Sequence, residues 1–227
     1  TIFDLDELKT KIDLVVSLND SVEGTILAKK ANADYAIGFL NGENVKANFE
    51  IPKTNGKYNL IENYLQIAHT LGAKVGNPEF AMKVKKEQNV EKLVKKHKLS
   101  KFIFLNPNTR EGAEAKNWGN TNYAQLAEKV LAKGYKIVFC GAKGEEDGKK
   151  TIRLIHNSKS KIVDLTGELS LNETTYLISK TKAYIGNDTG LMHIAIAAKI
   201  PTIGLFGPTD SKRLFLNGKK RFAFQVK

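Results

Sequence analysis

The chain has 227 residues, of which 41% are hydrophobic and 26% charged, values that are ordinary for a globular protein. No apolar run approaches the ~20 residues that a membrane-spanning helix needs, and the acidic residues within positions 1–7 predict no secretory signal. The net charge of +12 favours anionic partners, while the single cysteine, Cys140, excludes an internal disulfide and is predicted to be a small buried side chain.

The first part of the chain alternates between short apolar runs and amphipathic stretches. Strands are predicted over 12–18 and 35–39, and helices over 21–30 and 59–71. Gly72 follows the last of these helices, where glycine is favoured because it adopts the left-handed conformation of a C-terminal cap.

The composition becomes strongly polar between residues 76 and 100, with one polar helix predicted over 87–97. We place a linker over 76–100. The chain is therefore predicted to contain a partial N-terminal domain over 1–75 and a C-terminal domain over 101–227.

The C-terminal part shows a more regular alternation. Strands are predicted over 101–105, 135–140, 162–165, 183–186 and 202–206, and helices over 120–133, 147–157, 171–181 and 192–198. Strands joined by helical crossovers form parallel sheets, and strands buried on both faces are apolar throughout. The pattern predicts a doubly wound α/β sheet whose ligand site lies beyond the carboxyl ends of the strands.

The sharpest candidate site follows the fourth strand of this part. Residues 187–190 form a turn into a helix, so that backbone N–H groups and the helix dipole would face a bound anion. Thr189 adds a hydroxyl, Gly190 permits close approach, and His193 lies one turn further on. Each residue has a simpler explanation, with Asp188 as a helix cap and His193 as a structural residue. Their combination at the end of a buried strand favours a diphosphate site.

This segment resembles the signature of glycosyltransferase family nine, the bacterial lipopolysaccharide heptosyltransferases. The shared features are Asp-Thr-Gly, two residues, His, an alanine-rich helix, Pro and Leu-Phe-Gly-Pro-Thr, which stand here at Asp188, Thr189, Gly190, His193, Pro201 and 205–209. Three further stretches agree with the family, at 116–118, 141–146 and 163–173. The resemblance covers residues 100–210 well and 1–75 more weakly.

The resemblance implies a GT-B fold, in which two Rossmann-like domains with parallel sheets face a cleft, with the N-terminal domain incomplete here. It implies that Lys116 binds a donor phosphate and that Glu145 holds the donor ribose, although a surface lysine and a helix-terminal acid are the simpler explanations. The remaining implied donor-binding residues are Asp188, Thr189, Gly190, His193 and Thr109.

The family's general base is an Asp in a Gly-Asp turn that we do not find in this sequence. Asp4, Asp6 and Asp20 lie near the N-terminus, but none of them is assigned, and the catalytic residue stays unknown.

The function implied is that of an inverting glycosyltransferase moving a heptose or related sugar from an ADP-sugar to the lipopolysaccharide inner core. No metal or cofactor is expected to be required. The partners implied are the nucleotide-sugar donor and an anionic glycolipid acceptor, and the location implied is cytoplasmic, with peripheral contact at the inner face of the inner membrane. Nucleic acid is not expected, because lysine prevails over arginine.

Two alternatives stay open. A nucleotide- or glycolipid-binding module without catalysis would carry the same site. A dinucleotide-dependent oxidoreductase would share the sheet, but no Gly-x-Gly-x-x-Gly follows a strand in this sequence.

Overall fold

The computed structural model describes residues 12–18, 26, 30–31, 33–38, 49–50, 60–74, 76, 81–214 and 218–225. The chain forms two compact units, Thr1–Pro78 and Glu79–Lys227. Asp4, Asp6, Asp20 and most of the helix predicted over 21–30 lie outside the described residues. None of the described helices is long and apolar enough to cross a membrane.

The first unit contains a parallel three-stranded sheet in the order β1-β2-β3. Its elements are β1 (Leu14–Ser17), β2 (Tyr35–Gly38), β3 (Phe49–Glu50) and helix α1 (Leu60–Thr70). Ile67 of α1 is buried against Ile37 of β2, because an amphipathic helix turns its apolar stripe towards the sheet. Gly72 has φ +82 and its N–H donates to the His69 carbonyl, as the predicted cap requires. The short strand β3 was not predicted.

The second unit is built on a six-stranded parallel sheet in the order β6-β5-β4-β7-β8-β9. Its strands are β4 (Phe102–Asn106), β5 (Lys136–Phe139), β6 (Ile162–Asp164), β7 (Ala183–Asn187), β8 (Thr202–Phe206) and β9 (Arg221–Gln225). Its helices are α2 (Gln88–Lys96), α3 (Asn120–Ala132), α4 (Asp147–Leu154), α5 (Leu171–Lys180), α6 (Gly190–Ala197) and α7 (Ser211–Leu214). The α/β class and the parallel sheets predicted from the sequence are confirmed.

The core of this unit lies on both faces of the sheet, as the apolar strands predicted. Phe102 and Phe104 of β4 pack into the cluster that contains residues of α2, α5 and α6, while Ile103 and Leu105 pack into the cluster that contains α3. Successive side chains of a strand point to opposite faces, so a central strand needs apolar residues at every position.

Cys140 follows β5 and is fully buried in the first of these clusters. Burial raises the pKa of its thiol to about 11, against the opposing hydrogen bond from Thr174. A thiol that stays protonated at neutral pH is a poor nucleophile, so the buried, unreactive role predicted for Cys140 is consistent with the structure.

Two predicted boundaries differ from the structure. The stretch predicted as linker contains α2, and both Val90 and Leu99 are buried in the core, so residues 79–100 belong to the second unit. Helix α6 begins at Gly190, two residues before the predicted start, because Thr189 already occupies the extended N-cap position.

Candidate functional site

The site lies at the carboxyl ends of β4 and β7, which are neighbours in the sheet. After β4 the chain adds β5 and β6 on one side of this pair, and after β7 it adds β8 and β9 on the other side. Such a switch point leaves a crevice, because the helices that follow the two strands, α3 and α6, lie on opposite faces of the sheet. Asn106 ends β4 and pairs with Gly186 in β7. A Cβ on Gly186 would come within 2.9 Å of the Asn106 carbonyl oxygen, so glycine permits this close pairing.

The turn after β7 leads directly into α6. Thr189 is the N-cap residue, with φ −138 and ψ 169, and its hydroxyl accepts a hydrogen bond of 3.0 Å from the Asn106 side chain instead of capping the helix. Because Thr189 occupies the N-cap position, Asp188 is not a helix cap, which was the simpler explanation of this residue. The first turn of α6, with Gly190 and Leu191, lines the cavity described below.

Asp188 is 6% exposed and lies between two basic side chains. Its Oδ2 accepts from the Lys116 ammonium at 2.6 Å, and its Oδ1 lies 3.7 Å from His193 Nε2. Burial works against the charged carboxylate, but hydrogen bonds with His193, Lys116 and Thr209, together with the Lys116 charge, lower its pKa from 3.8 to about 2. The carboxyl is therefore ionised at any physiological pH.

A cavity of about 660 Å³ opens beside this cluster. All the residues predicted to bind the donor line it, namely Thr109, Lys116, Glu145, Asp188, Thr189, Gly190 and His193. The structure thus brings together residues from three separate segments of the sequence, although their roles stay predictions.

Glu145 lines the cavity from the loop between β5 and α4. Its Oε2 accepts from the Ala142 N–H at 3.0 Å, and burial raises its pKa above the ordinary value of 4.5. Gly141 makes this arrangement possible, because a Cβ there would collide with both the Glu145 carboxylate and the Asn108 amide.

The cavity also contains polar residues that the sequence analysis did not propose. Asn106 and Asn108 are each 2% exposed, and Asn108 joins β5 to α4 by donating to the Cys140 carbonyl and accepting from the Gly148 N–H. The Oδ1 atom of Asn106 is buried without a hydrogen-bond partner among the described residues. Two asparagines flanking a proline directly after a buried strand are the signal that could have identified them.

Arg110 is a further cation that the sequence analysis missed. It lines the same cavity and is exposed, and within the described part of the chain its guanidinium forms no hydrogen bond or ion pair. An apolar wall of Leu169, Leu171, Leu191, Ile194 and Leu214 completes the cavity. Across the described ranges, no three His, Cys, Asp or Glu side chains form a group that could hold a metal ion.

A doubly wound sheet with a cavity at its switch point, lined by lysine, arginine, histidine and a helix N-terminus, defines an α/β protein with a site suited to a nucleotide or phosphorylated ligand. Residues 5–225 match the family described as glycosyltransferase family 9 (heptosyltransferase), so the chain belongs to that family. The resemblance noted from the sequence is confirmed.

Among individual relatives, lipooligosaccharide heptosyltransferase 2 of Haemophilus influenzae is 40% identical over 104 residues, which cover 44% of this chain and 30% of that relative's length. The fold matches the solved structure of E. coli ADP-heptose lipopolysaccharide heptosyltransferase II with a TM-score of 0.73 and 21% identity, over 98% of this chain and 70% of that one. An E. coli heptosyltransferase with ADP-2-deoxy-2-fluoro heptose matches with a TM-score of 0.65 and 16% identity, over 96% of this chain and 67% of that one.

Proposed function

We propose that the cavity binds the diphosphate and nucleoside of an ADP-sugar, and that the whole protein transfers a heptose from this donor to the inner core of lipopolysaccharide. Membership of the heptosyltransferase family supports the reaction class. The heptosyltransferase of similar fold that was solved with ADP-2-deoxy-2-fluoro heptose supports an ADP-linked donor. No metal or cofactor besides the donor is proposed.

The observation that carries the proposal is the ion pair between Lys116 and Asp188 beside the start of α6. A buried carboxylate repels a diphosphate, so Asp188 does not contact the phosphates itself. It holds the Lys116 ammonium at 2.6 Å and stands 3.7 Å from His193, which places both basic groups at the cavity wall. Asp188 thereby supports the donor-binding residues, while Lys116 and the first amides of α6 meet the anion.

The same groups suit the bond-breaking step. In an inverting transfer, an acceptor hydroxyl loses its proton and attacks the anomeric carbon, while the bond from that carbon to the diphosphate oxygen breaks. Negative charge then grows on the leaving diphosphate. Cations and helix-end amides already in place stabilise this charge more in the transition state than in the bound donor, which accelerates the reaction. The base that receives the hydroxyl proton is not assigned to any described residue.

Calorimetric titration of ADP, UDP and ADP-heptose into the wild type and Lys116→Met tests the proposal. We expect ADP and ADP-heptose to bind, and UDP to bind more weakly. Loss of a charge-assisted hydrogen bond of about 1.5–3 kcal/mol should weaken ADP by roughly tenfold to a hundredfold in Lys116→Met. Lys182→Met is the matched control, because Lys182 is an exposed lysine at the other end of β7.

Three results would contradict the proposal: no binding of ADP by the wild type, equal binding by wild type and Lys116→Met, or equal losses in Lys116→Met and Lys182→Met. Binding of ADP-heptose without transfer to a lipopolysaccharide acceptor by the protein would instead favour the binding module without catalysis.

A further inference from the structure

Asn187, the last residue of β7, has a side chain that joins three separate parts of the second unit. The residue is completely buried. Its Oδ1 accepts from the Tyr123 hydroxyl at 2.8 Å and from the Trp118 backbone N–H at 3.2 Å, while its Nδ2 donates to the Pro107 carbonyl at 2.8 Å. Both ends of one amide are therefore used, which only asparagine provides at this side-chain length.

Two of these partners are the two ends of a single loop. Pro107 begins the loop that follows β4, and Trp118 ends it just before α3. Between them, the loop carries Thr109, Arg110 and Lys116, all of which line the cavity. One amide on β7 thus fixes both ends of the loop that supplies two of the cavity's cations.

The third partner strengthens the attachment at the end of the loop. The Tyr123 ring packs edge-on against Trp118, with ring centroids 5.3 Å apart, and its hydroxyl also lies 3.3 Å from the Asn106 carbonyl oxygen. Tyr123 is fully buried, so its hydroxyl needs these partners, and burial raises its pKa well above the ordinary value.

Other hydrogen bonds of the loop do not attach it to β7. The side chains of Glu114, Asn117 and Asn122 bond to backbone atoms within the loop or to its junction with α3. Asn108 attaches the loop to β5 and α4 instead. In the described part of the unit, the Lys116–Asp188 pair is the remaining side-chain link to the end of β7, and it depends on where the loop backbone lies.

We propose that Asn187 is a positioning residue for donor binding, which fixes the loop backbone so that the Lys116 ammonium meets both Asp188 and the donor diphosphate. The inference rests on the proposed function. Two consecutive residues then act on the same loop. Asn187 binds the backbone at its two ends, and Asp188 binds the ammonium group of Lys116. Without the amide, the Lys116 side chain, which is 33% exposed, has the freedom to leave the cavity wall.

A double-mutant cycle on ADP affinity tests the inference, using the wild type, Asn187→Ala, Lys116→Met and the double variant. Asn187→Ala should weaken ADP about tenfold, because the donor then meets a lysine that is no longer held in place. In the Asn187→Ala background, the additional effect of Lys116→Met should shrink to about threefold or less. Tyr123→Phe, which removes one of the three hydrogen bonds and keeps the ring, should give a smaller change in the same direction.

The fluorescence of Trp118 gives a reading that needs no ligand. Trp118 is the single tryptophan of the chain, and its backbone N–H is one of the three partners of Asn187. We expect Asn187→Ala to change its emission and to increase its quenching by iodide. Thr181→Val is the control, because the Thr181 side chain is buried and donates to the carbonyls of Phe102 and Ala183 near the opposite end of β7. It should alter neither the fluorescence nor the effect of Lys116→Met.

The two proposals fail in distinguishable ways. If the wild type binds no ADP, the proposed function is wrong whatever the fluorescence shows. If ADP binds and depends on Lys116, but the two substitutions act additively and the Trp118 emission is unchanged, Asn187 is a structural residue only. Should Asn187→Ala not fold, Tyr123→Phe decides by the same two measurements.

Discussion

At the scale of single residues, the cavity holds two carboxylates whose environments move their pKa values in opposite directions. Burial raises the pKa of Glu145, whereas the pKa of Asp188 falls to about 2 because the basic groups around it more than offset its burial. Asp188 therefore stays ionised between pH 4.5 and 7, while Glu145 begins to take up a proton in that range. Of the two carboxylates that line the cavity, Glu145 is therefore the one whose titration should change donor binding in this pH range.

This difference predicts how ADP binding changes with pH. If the Glu145 carboxylate accepts hydrogen bonds from the ribose hydroxyls, Glu145→Gln should weaken ADP by about tenfold at pH 7.5, because a charged acceptor is replaced by a neutral one. As the pH falls towards 4.5, the wild-type carboxyl becomes protonated and the ratio between the two proteins should shrink. Calorimetry of both proteins at each pH measures this ratio of ADP affinities. Protonation of the ADP phosphates affects both proteins alike and therefore does not change the ratio.

The neighbouring Glu146 supplies the control for that experiment. It is exposed and pairs with Lys149 at 3.0 Å, which lowers its pKa, and it does not line the cavity. Glu146→Gln should leave the affinity unchanged at every pH. A ratio between wild type and Glu145→Gln that stays constant over the whole pH range would exclude the ribose role of Glu145.

All the charged residues of the cavity except Arg110 could be predicted from the sequence, whereas the residues that position them could not. Lys116, Asp188 and His193 belong to motifs with fixed spacing, so the sequence predicts them directly. The roles of Asn106 and Asn187 depend on which strands are neighbours, and the first paired residues of β4 and β7, Ile103 and Ala183, are 80 positions apart in the sequence. A local pattern does not contain that pairing.

At the scale of elements, α5 shows how a sequence signal fixes the position of a cavity wall. Ser170 accepts from the Glu173 N–H at 3.3 Å, and the Glu173 carboxylate accepts from the Ser170 N–H at 2.9 Å, forming a capping box. The helix predicted over 171–181 agrees with this start. Leu169 and Leu171, on either side of it, line the cavity, so the cap fixes the point where the helix and this apolar wall begin.

Removing this cap should destabilise the second unit without changing its charge. Ser170→Ala is expected to lower the free energy of unfolding by about 1 kcal/mol, as measured by urea denaturation, because the Glu173 N–H loses the hydroxyl that accepts its hydrogen bond. Ser160→Ala, at an exposed position of the short turn before β6, is the control and should change the stability by less than about 0.5 kcal/mol. Equal losses in both variants would show that the capping box contributes nothing particular.

Elements were missed where a short segment takes its structure from its neighbours. Strand β9 contains Phe222 and Phe224, but its sequence lies within a cationic stretch and both rings are exposed, so the usual sign of a buried strand is absent. Its structure comes from backbone pairing with β8. Helix α2 itself was predicted, over 87–97, but its polar sequence suggested a linker, whereas its Val90 is fully buried in the core of the second unit.

At the scale of the whole molecule, folding concentrates a charge that is dispersed along the sequence. In a parallel sheet, all the segments that precede the strands lie at the same edge. In the second unit, these segments carry basic residues and no acidic ones, and Lys136 of β5 and Lys180 of α5 adjoin them. The basic residues of the segments are Lys98, Lys101, Lys133, Lys159, Lys161, Lys182, Lys199, Lys219 and Lys220. We call this set the lysine edge. Two carboxylates reach it from the helices, with Glu91 pairing with Lys180 at 3.0 Å and Glu128 accepting from the His156 N–H.

The lysine edge is not explained by the anionic donor, because the cavity lies at the opposite ends of the strands. The loops around the cavity carry seven acidic residues of this unit, namely Glu111, Glu114, Glu145, Glu146, Glu168, Asp188 and Asp210. Helix dipoles account for part of the pattern, since lysines are favoured at helix C-termini. They do not account for Lys159, Lys161 or Lys182, which follow the helix ends and are exposed. A diffuse cationic surface of this kind suits an anionic bilayer, to which each lysine adds about 1 kcal/mol of attraction.

We therefore expect the protein to bind vesicles containing anionic lipid, and to be released by salt, because screening shortens the reach of these charges to about 3 Å at 1 M. Lys159→Gln with Lys161→Gln should weaken vesicle binding about tenfold or more in a sedimentation assay, since two such charges are worth about 2 kcal/mol. The matched control is Lys149→Gln with Lys150→Gln, in the first turn of α4, where the two lysines pair with Glu146 and Asp147. Neither pair of substitutions should change ADP affinity, because none of these lysines lines the cavity. Equal affinity for anionic and neutral vesicles would exclude this membrane contact and leave the proposed sugar transfer untouched, since the lysine edge and the cavity lie at opposite edges of one sheet.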